Sequence, residues 1–237
     1  MVSTPRISIS VFFPCHNEEG VIEQLTRQTL TVLSRISDDY EVIIVNDGST
    51  DGTQSIADQL TSEDPHIRVV HHPKNRGYGA ALQSGFRTAT KEWVFYTDGD
   101  GQFDITQLPE LLDLTSEYDI ITCYRQNRQD NWRRRLIGWA WSKMVSFVFG
   151  LKIKDVDCAF KLYKREIFAH IEMCSEGALI DAEILARAHR AGYSMTQKPV
   201  KHLPRTTGTQ SGGNIRVILR AFKELLKLRK DIVSGPK

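Results

Sequence analysis

The sequence predicts an α/β protein, a mostly parallel sheet with helices on both faces. Three observations carry this. Short β-branched and aromatic runs alternate with segments of helical period. The first four runs each end in polar residues, where a strand turns into a helix. The fourth run, Trp93–Thr97, leads directly into Asp98-Gly99-Asp100-Gly101-Gln102, two carboxylates one glycine apart. In parallel α/β sheets ligands bind outside the carboxyl ends of the strands, so these turns share one functional edge.

In order, residues 7–13 read as the first strand, ended by Pro14-Cys15-His16-Asn17-Glu18-Glu19. Asn17 is expected to cap the following helix, with Glu18 and Glu19 in its first turn. Residues 41–45 form the second strand and run into Asn46-Asp47-Gly48-Ser49-Thr50-Asp51, then a helix to about Leu60. Residues 67–71 are the third strand, and Asn75-Arg76-Gly77-Tyr78-Gly79 opens a small-residue helix. After the acidic turn come a helix at 105–114, a strand at 119–123, an apolar helix at 136–151, a helix at 178–191 and a C-terminal helix from Asn214 to about Val233.

The 237 residues are 41% hydrophobic and 25% charged, enough for one large domain or two small ones. A net charge of +2 argues against a polycation, and no nucleic-acid partner is expected. Cys15, Cys123, Cys158 and Cys174 lack CxxC spacing and read as reduced thiols, not a zinc site. The short polar stretch 1–6 does not read as a signal peptide, and no apolar run is long enough to span a bilayer. Gly77 and Gly79 do not complete a GxGxxG fingerprint and no GxxxxGK[ST] occurs, which sets aside a dehydrogenase and a P-loop ATPase.

Asp98 and Asp100 repel each other unless a cation neutralises them. Their oxygens, with the nearby amide of Gln102, suit Mg²⁺ or Mn²⁺, which would bridge to a diphosphate. The other reading is a plain polar turn, since Asp-Gly pairs form turns readily.

The segments 13–19, 45–51, 75–79 and 98–102 occur in an order and spacing that resembles the family 2 glycosyltransferases of GT-A fold, a Rossmann-like architecture. Within that family the resemblance is to dolichyl-phosphate mannose synthases and polyprenyl-phosphate glycosyltransferases, and it covers roughly the whole chain. It implies that Pro14, Asn17, Glu18, Asp47 and Gly77 bind the nucleotide-sugar donor. It also implies that Asp98 faces the nucleotide and that Asp100 with Gln102 holds the metal. Asn46 departs from the pattern, standing where many relatives carry a second aspartate.

The later segments extend the resemblance. Asp155-Val156-Asp157-Cys158-Ala159-Phe160-Lys161-Leu162 resembles the family's acceptor segment, with Cys158-Ala159 in place of a serine-glycine or glycine-glycine pair. Asp181 and Glu183 fall where the family places an acidic residue beside the acceptor, as base or orienter; pairing with the helix dipole is the structural alternative. Residues 204–213 resemble the loop that closes over the diphosphate, bringing Arg205 and Ser211. The run Arg125, Arg128, Arg133–Arg135 reads either as a solvated loop or as a grip on lipid or donor phosphate. On a helical wheel the 136–151 helix gathers Arg135, Ser142, Lys143 and Ser146 together, leaving a wide apolar face with Trp141, Met144, Phe147 and Val148. It reads as a core helix or an interfacial one. Arg216, Arg220, Lys223, Lys227 and Lys230 line one face of the last helix and suit an anionic leaflet.

The expectation is an inverting hexose transfer with Asp100, Arg205, Asp181 and Glu183 as catalytic groups. The donor would be GDP-mannose or UDP-glucose in type and the acceptor a polyprenyl phosphate on the cytoplasmic membrane face. Arg125, Arg133, Asp155 and Ser211 would meet the acceptor or its phosphate. A soluble or cell-envelope hydroxyl acceptor is the alternative. Residues 1–203 would form the catalytic domain, with a donor half to about 104 and an acceptor half beyond it. Residues 204–237 would supply the active-site loop and a basic helix. A homodimer or a membrane-protein partner stays open.

Overall fold

The computed structural model describes residues 7–126, 132–204 and 224–232, the side chains of 133 and 134 excepted. Seven strands form one sheet: β1 (Ile9–Cys15), β2 (Tyr40–Asn46), β3 (Ile67–His71), β4 (Trp93–Thr97), β5 (Ile120–Gln126), β6 (Phe160–Lys164) and β7 (Met195–Lys201). Their order is β3-β2-β1-β4-β6-β5-β7. Strands β1 to β4 are mutually parallel, as the strand–helix alternation requires. Strand β6 runs antiparallel between β4 and β5, while β7 is parallel to β5. Neither β6 nor β7 is anticipated by the periodicity: β6 is buried along nearly its whole length, and β7, Met195–Lys201, has mostly polar composition.

The helices are α1 (Ile22–Ile36), α2 (Thr53–Glu63), α3 (Tyr78–Thr88), α4 (Pro109–Leu112), α5 (Trp132–Phe149), α6 (Ile167–His170) and α7 (Ile180–Arg190). The expected 105–114 helix is a 3₁₀ turn, Ile105–Gln107, followed by the single turn α4. Asp104 caps that turn, its side chain accepting from the Thr106 N–H, and Pro109 starts the next. Beyond β7, residues 224–232 are helical, with Leu225, Leu228 and Ile232 buried. Leu228 and Ile232 pack with Ala186 of α7 and Phe149 of α5.

The core is continuous on both sheet faces. Phe12, Phe86 and Tyr96 stack across β1, α3 and β4 with centroids 4.9 to 5.7 Å apart. Helix α5 departs from its expected orientation. Ser142 and Val145 are buried and the Ser142 hydroxyl accepts from the Val156 N–H, whereas Phe147 is 90% exposed. The wheel grouped residues by polarity, but one serine turned inward serves a backbone donor that would otherwise be buried without a partner. Trp132, Leu136, Ile137 and Trp139 are exposed with Phe147. Among the described residues no helix is long and apolar enough to cross a membrane.

Candidate active site

The sheet order reverses at β1, which sits between β2 and β4. The crevice at such a switch point is where open α/β sheets bind ligands. Two of the predicted segments meet here: the β1 turn starting at Pro14 and the acidic turn after β4. The Pro14 carbonyl accepts from the Gly99 N–H at 3.3 Å.

The turns after β1 and β2 lace together. Asn17 sits at φ 59° and its Oδ1 accepts from the Thr50 N–H at 2.8 Å. It therefore does not cap α1, which begins five residues later. The left-handed backbone, tolerable for Asn, turns its side chain to the second loop instead. The Glu18 N–H donates to Thr53 Oγ1 at 2.9 Å, and Glu19 Oε2 accepts from the Gly52 N–H at 2.6 Å. Asn46 Oδ1 accepts from the Ser49 N–H while its Nδ2 lies 3.0 Å from His71 Nδ1, a donor that an aspartate there would lack.

Asp47 is buried and saturated. It accepts from the Arg76 N–H and the Gly77 N–H, both at 2.9 Å, and pairs with His72 Nδ1 at 2.6 Å. Gly48, at φ 66°, lies so close to the next loop that a Cβ would sit 2.3 Å from the Lys74 carbonyl carbon. Asp47 thus shapes the donor crevice by holding the 74–77 loop. The Gly77 N–H is engaged there, so it is not a free anion donor.

The N-terminus of α3 is occupied as well. The Glu176 carbonyl accepts from the Gly79 N–H at 2.9 Å and the Ala80 N–H at 3.3 Å, and Arg76 lies 3.7 Å from the Glu176 carboxylate. A Cβ on Gly79 would collide with the Ser175 carbonyl oxygen at 2.5 Å, so only glycine lets this loop dock.

In the acidic turn, Asp98 Oδ1 accepts from the Tyr78 hydroxyl at 3.0 Å. Burial and then the Asp100 carboxylate push the Asp98 carboxyl up to about 7. Asp100 Oδ1 accepts from the Gln102 N–H at 3.0 Å. The Gln102 amide nitrogen donates to the Leu203 carbonyl at 3.2 Å, and the Leu203 N–H returns a bond to the Gln102 carbonyl. Gln102 therefore fastens the turn to the end of β7 through its amide nitrogen and its backbone carbonyl, and the expected ligand role would fall to its side-chain oxygen. Among the described residues no three His, Cys, Asp or Glu side chains form a metal cage. Asp98, its carboxyl raised by burial and then by the Asp100 carboxylate, offers with Asp100 two hard oxygen ligands that fit a divalent cation taking its other ligands from phosphate and water.

Behind this turn lies a buried chain of polar groups. Tyr96 donates to Asp181 Oδ1 by a short hydrogen bond, and Lys161 Nζ donates to the same oxygen at 2.6 Å and to the Tyr96 hydroxyl at 2.8 Å. Lys161 is 0% exposed and Asp181 only 2%. Asp181 is thus the counter-ion of a buried lysine, not a base open to solvent. Glu183 is engaged too: it accepts from the Cys174 and Ser175 N–H groups and from Arg187 Nε at 2.9 Å. Its place on α7 suits loop capping, so it is a positioning group in place of the expected base. Arg125 is spent on a bidentate pair with Asp155 at 2.7 and 2.8 Å, which locks the end of β5 to the segment before β6. That pairing corrects their expected role as separate acceptor contacts. Arg205, Ser211 and the side chain of Arg133 lie outside the described residues, as do Arg216, Arg220 and Lys223; Lys227 and Lys230 are exposed.

A pocket of about 1000 Å³ opens beside the α3 N-terminus, between α5, the 174–179 loop and the 224–231 segment. Ile137, Trp141, Met144 and Leu228 give it an apolar wall. Asp157 also lines it, accepting from Trp141 Nε1–H at 3.1 Å. Burial first, then Asp181 and Asp155, raise the Asp157 carboxyl to about 6. Asp157, Trp141, Lys161 and Tyr78 were not singled out as site residues by sequence. The signal for Asp157 was its place in the acceptor-like segment; Lys161 carried none beyond that segment's pattern.

An acidic turn at the switch point of a mostly parallel sheet, with a deep pocket alongside, defines an α/β enzyme of nucleotide-handling type. The chain belongs to glycosyl transferase family 2, whose profile matches residues 10–172. It is 32% identical over 241 aligned positions to Glycosyltransferase AglD of Haloferax volcanii, covering 98% of this chain but 38% of that protein. The chain thus spans well under half the length of this relative. The fold is shared with glucosyl-3-phosphoglycerate synthase from Mycobacterium tuberculosis in complex with Mn²⁺, UDP and phosphoglyceric acid. That match has a TM-score of 0.72 and 17% identity, over 98% of this chain and 80% of the other. The same enzyme with Mn²⁺ and UDP-glucose gives 0.72 and 19%, over 94% and 79%. These structures confirm the GT-A architecture, and the glycosyltransferase family is shown by the profile and the curated relative.

Proposed function

We propose that this chain transfers a hexose from a nucleotide-sugar to a polyprenyl phosphate, working as a peripheral protein on the cytoplasmic face of an anionic membrane. The observation that carries the donor side is the acidic turn, Asp98 and Asp100, at the carboxyl end of β4. Bound Mg²⁺ or Mn²⁺ would supply charge neutralisation for the departing diphosphate. The Mn²⁺–UDP and Mn²⁺–UDP-glucose complexes of the structural neighbour support that choice.

The chain's own residues divide the remaining work. The laced loops 16–19 and 46–53 and the Asp47-held 74–77 loop bound the nucleotide crevice. Tyr78 holds Asp98 through its hydroxyl, and the Lys161–Asp181 pair acts on it electrostatically. Arg205 is assigned to the diphosphate as it leaves, and Arg133 and Ser211 to the acceptor phosphate. The transfer is a single inverting displacement. A phosphate acceptor is already anionic and needs no base, which agrees with the engagement of Asp181 and Glu183 by protein donors. The apolar pocket wall and the exposed Trp132, Leu136, Trp139 and Phe147 on α5 favour a lipid-borne acceptor.

One observation favours a second reading, a hydroxyl acceptor. Asp157 faces the pocket with a carboxyl raised to about 6, the range of a general base. Purified protein with GDP- and UDP-sugars, Mn²⁺, and either polyprenyl phosphate or soluble polyols separates the two. Labelled lipid is the expected product; sugar transfer to the polyol alone would contradict the lipid reading.

A further inference from the structure

We infer that Asp157, braced by Trp141, recognises hydroxyl groups of the transferred sugar and sets which sugar the enzyme accepts. The inference rests on the glycosyl-transfer reading above and deepens it.

Asp157 feels two nearby cations, and both are already matched. Lys161 belongs to Asp181 at 2.6 Å, and Arg125 to Asp155 at 2.7 Å. Asp157 is therefore a further carboxylate with no cation of its own in this cluster. Among the described residues its hydrogen-bond donor is the Trp141 indole N–H, a neutral group. An ionised carboxylate offers about four acceptor positions. The remaining positions face a pocket of about 1000 Å³.

In direct contact Asp157 disfavours an anion and favours neutral donors, so an acceptor phosphate would sit elsewhere along the pocket, whose wall also carries Arg76 and Lys227. Phosphate beside it would add repulsion to Asp157, Asp181 and Asp155, the charges that already raise its carboxyl. Hydroxyl groups would instead satisfy it without adding charge. Trp141 brings an aromatic surface to the same wall, a surface suited to the C–H face of a sugar ring. The location also fits. The pocket that Asp157 lines also includes Arg76 and Gly77, of the loop that Asp47 holds, so it opens beside the nucleotide crevice. On the glycosyl-transfer reading, the sugar of a donor held at Asp98 and Asp100 would enter this pocket. With a phosphate acceptor no base is required, which leaves this carboxylate for recognition.

The test compares UDP, GDP, UDP-glucose and GDP-mannose binding with Mn²⁺ by calorimetry, in the wild type, Asp157→Asn and Trp141→Phe. The sugar-dependent gain is the affinity for the nucleotide-sugar over that for its nucleoside diphosphate. Asp157→Asn is expected to reduce this gain by about 10-fold or more and leave diphosphate affinity within about twofold. Trp141→Phe, which keeps a ring but removes the N–H, is expected to act in the same direction by about threefold. Unfolding midpoints near wild type confirm that both variants fold. An unchanged gain in Asp157→Asn overturns the inference. So does an equal loss for diphosphate and nucleotide-sugar. An unchanged gain with a turnover loss of about 10² to 10⁴ toward a hydroxyl acceptor would instead make Asp157 the base. Wild-type protein that binds no nucleotide at all would bring down the glycosyl-transfer reading itself.

Discussion

The two sides of the sheet are built differently. On the side of the acidic turn, β1 to β4 are parallel and side chains of the connecting turns reach backbone N–H groups of neighbouring turns: Asn17 to Thr50, Glu19 to Gly52, Asp47 to Arg76 and Gly77. On the other side, proposed above for the acceptor, the wall is α5, a docked loop and the short 224–232 helix, and large apolar residues remain exposed. The difference teaches where rigidity is needed. A nucleotide and its cation demand fixed donors, whereas an acceptor carrying a long apolar chain demands an open apolar surface.

The seam between the halves is β6, where Lys161 meets Asp181, and breaking it should have the largest effect on the fold. Lys161→Ala leaves a buried carboxylate without its partner. It should cost about 3–5 kcal/mol in urea unfolding. Adding Asp181→Asn should recover more than half; no recovery would show that the pair does not hold the halves together.

The donor side can be probed by pH. Asp98 and Asp157 carry carboxyls raised to about 7 and about 6, above the ordinary aspartate value near 4. Both therefore bind protons more tightly in the folded than in the unfolded chain. Their stabilising contribution is complete below about pH 4 and is lost as pH rises through 6 and 7. Mn²⁺ competes with the proton on Asp98. The rise in melting temperature on adding Mn²⁺ should be several degrees at pH 8 and much smaller at pH 5.5. Equal shifts at both pH values would argue against cation binding at Asp98.

The smallest effect on stability is expected on the acceptor side. Phe147→Glu, at a 90% exposed position, should change stability by no more than about 0.5 kcal/mol. Together with Trp139→Glu it should nevertheless reduce co-sedimentation with anionic vesicles. Unaltered vesicle binding would separate α5 from any membrane role.

The same contrast explains what could be read from the sequence. The donor turns were legible because their determinants are local: glycine at Gly48, and the polar clusters after β1, β2 and β4. The acceptor side was less so, because its roles depend on distant partners. Glu183 resembles a helix-start carboxylate, yet it binds the Cys174 and Ser175 N–H groups. Ser142 resembles a surface residue until Val156 is placed against it. Arg125 and Asp155 resemble two separate ligand contacts, though they bind each other. Strand β6 could not be oriented without knowing that it inserts between β4 and β5.

The central claim is that Asp98 and Asp100 hold the cation that carries the nucleotide diphosphate. Calorimetric titration of UDP-glucose and GDP-mannose into the wild type and Asp100→Ala, each with and without Mn²⁺, tests it most directly. The account predicts Mn²⁺-dependent binding in the wild type that disappears in Asp100→Ala, with turnover falling at least about 10²-fold. Nucleotide-sugar binding that is equally tight without metal, or that survives Asp100→Ala with its Mn²⁺ dependence intact, would contradict it.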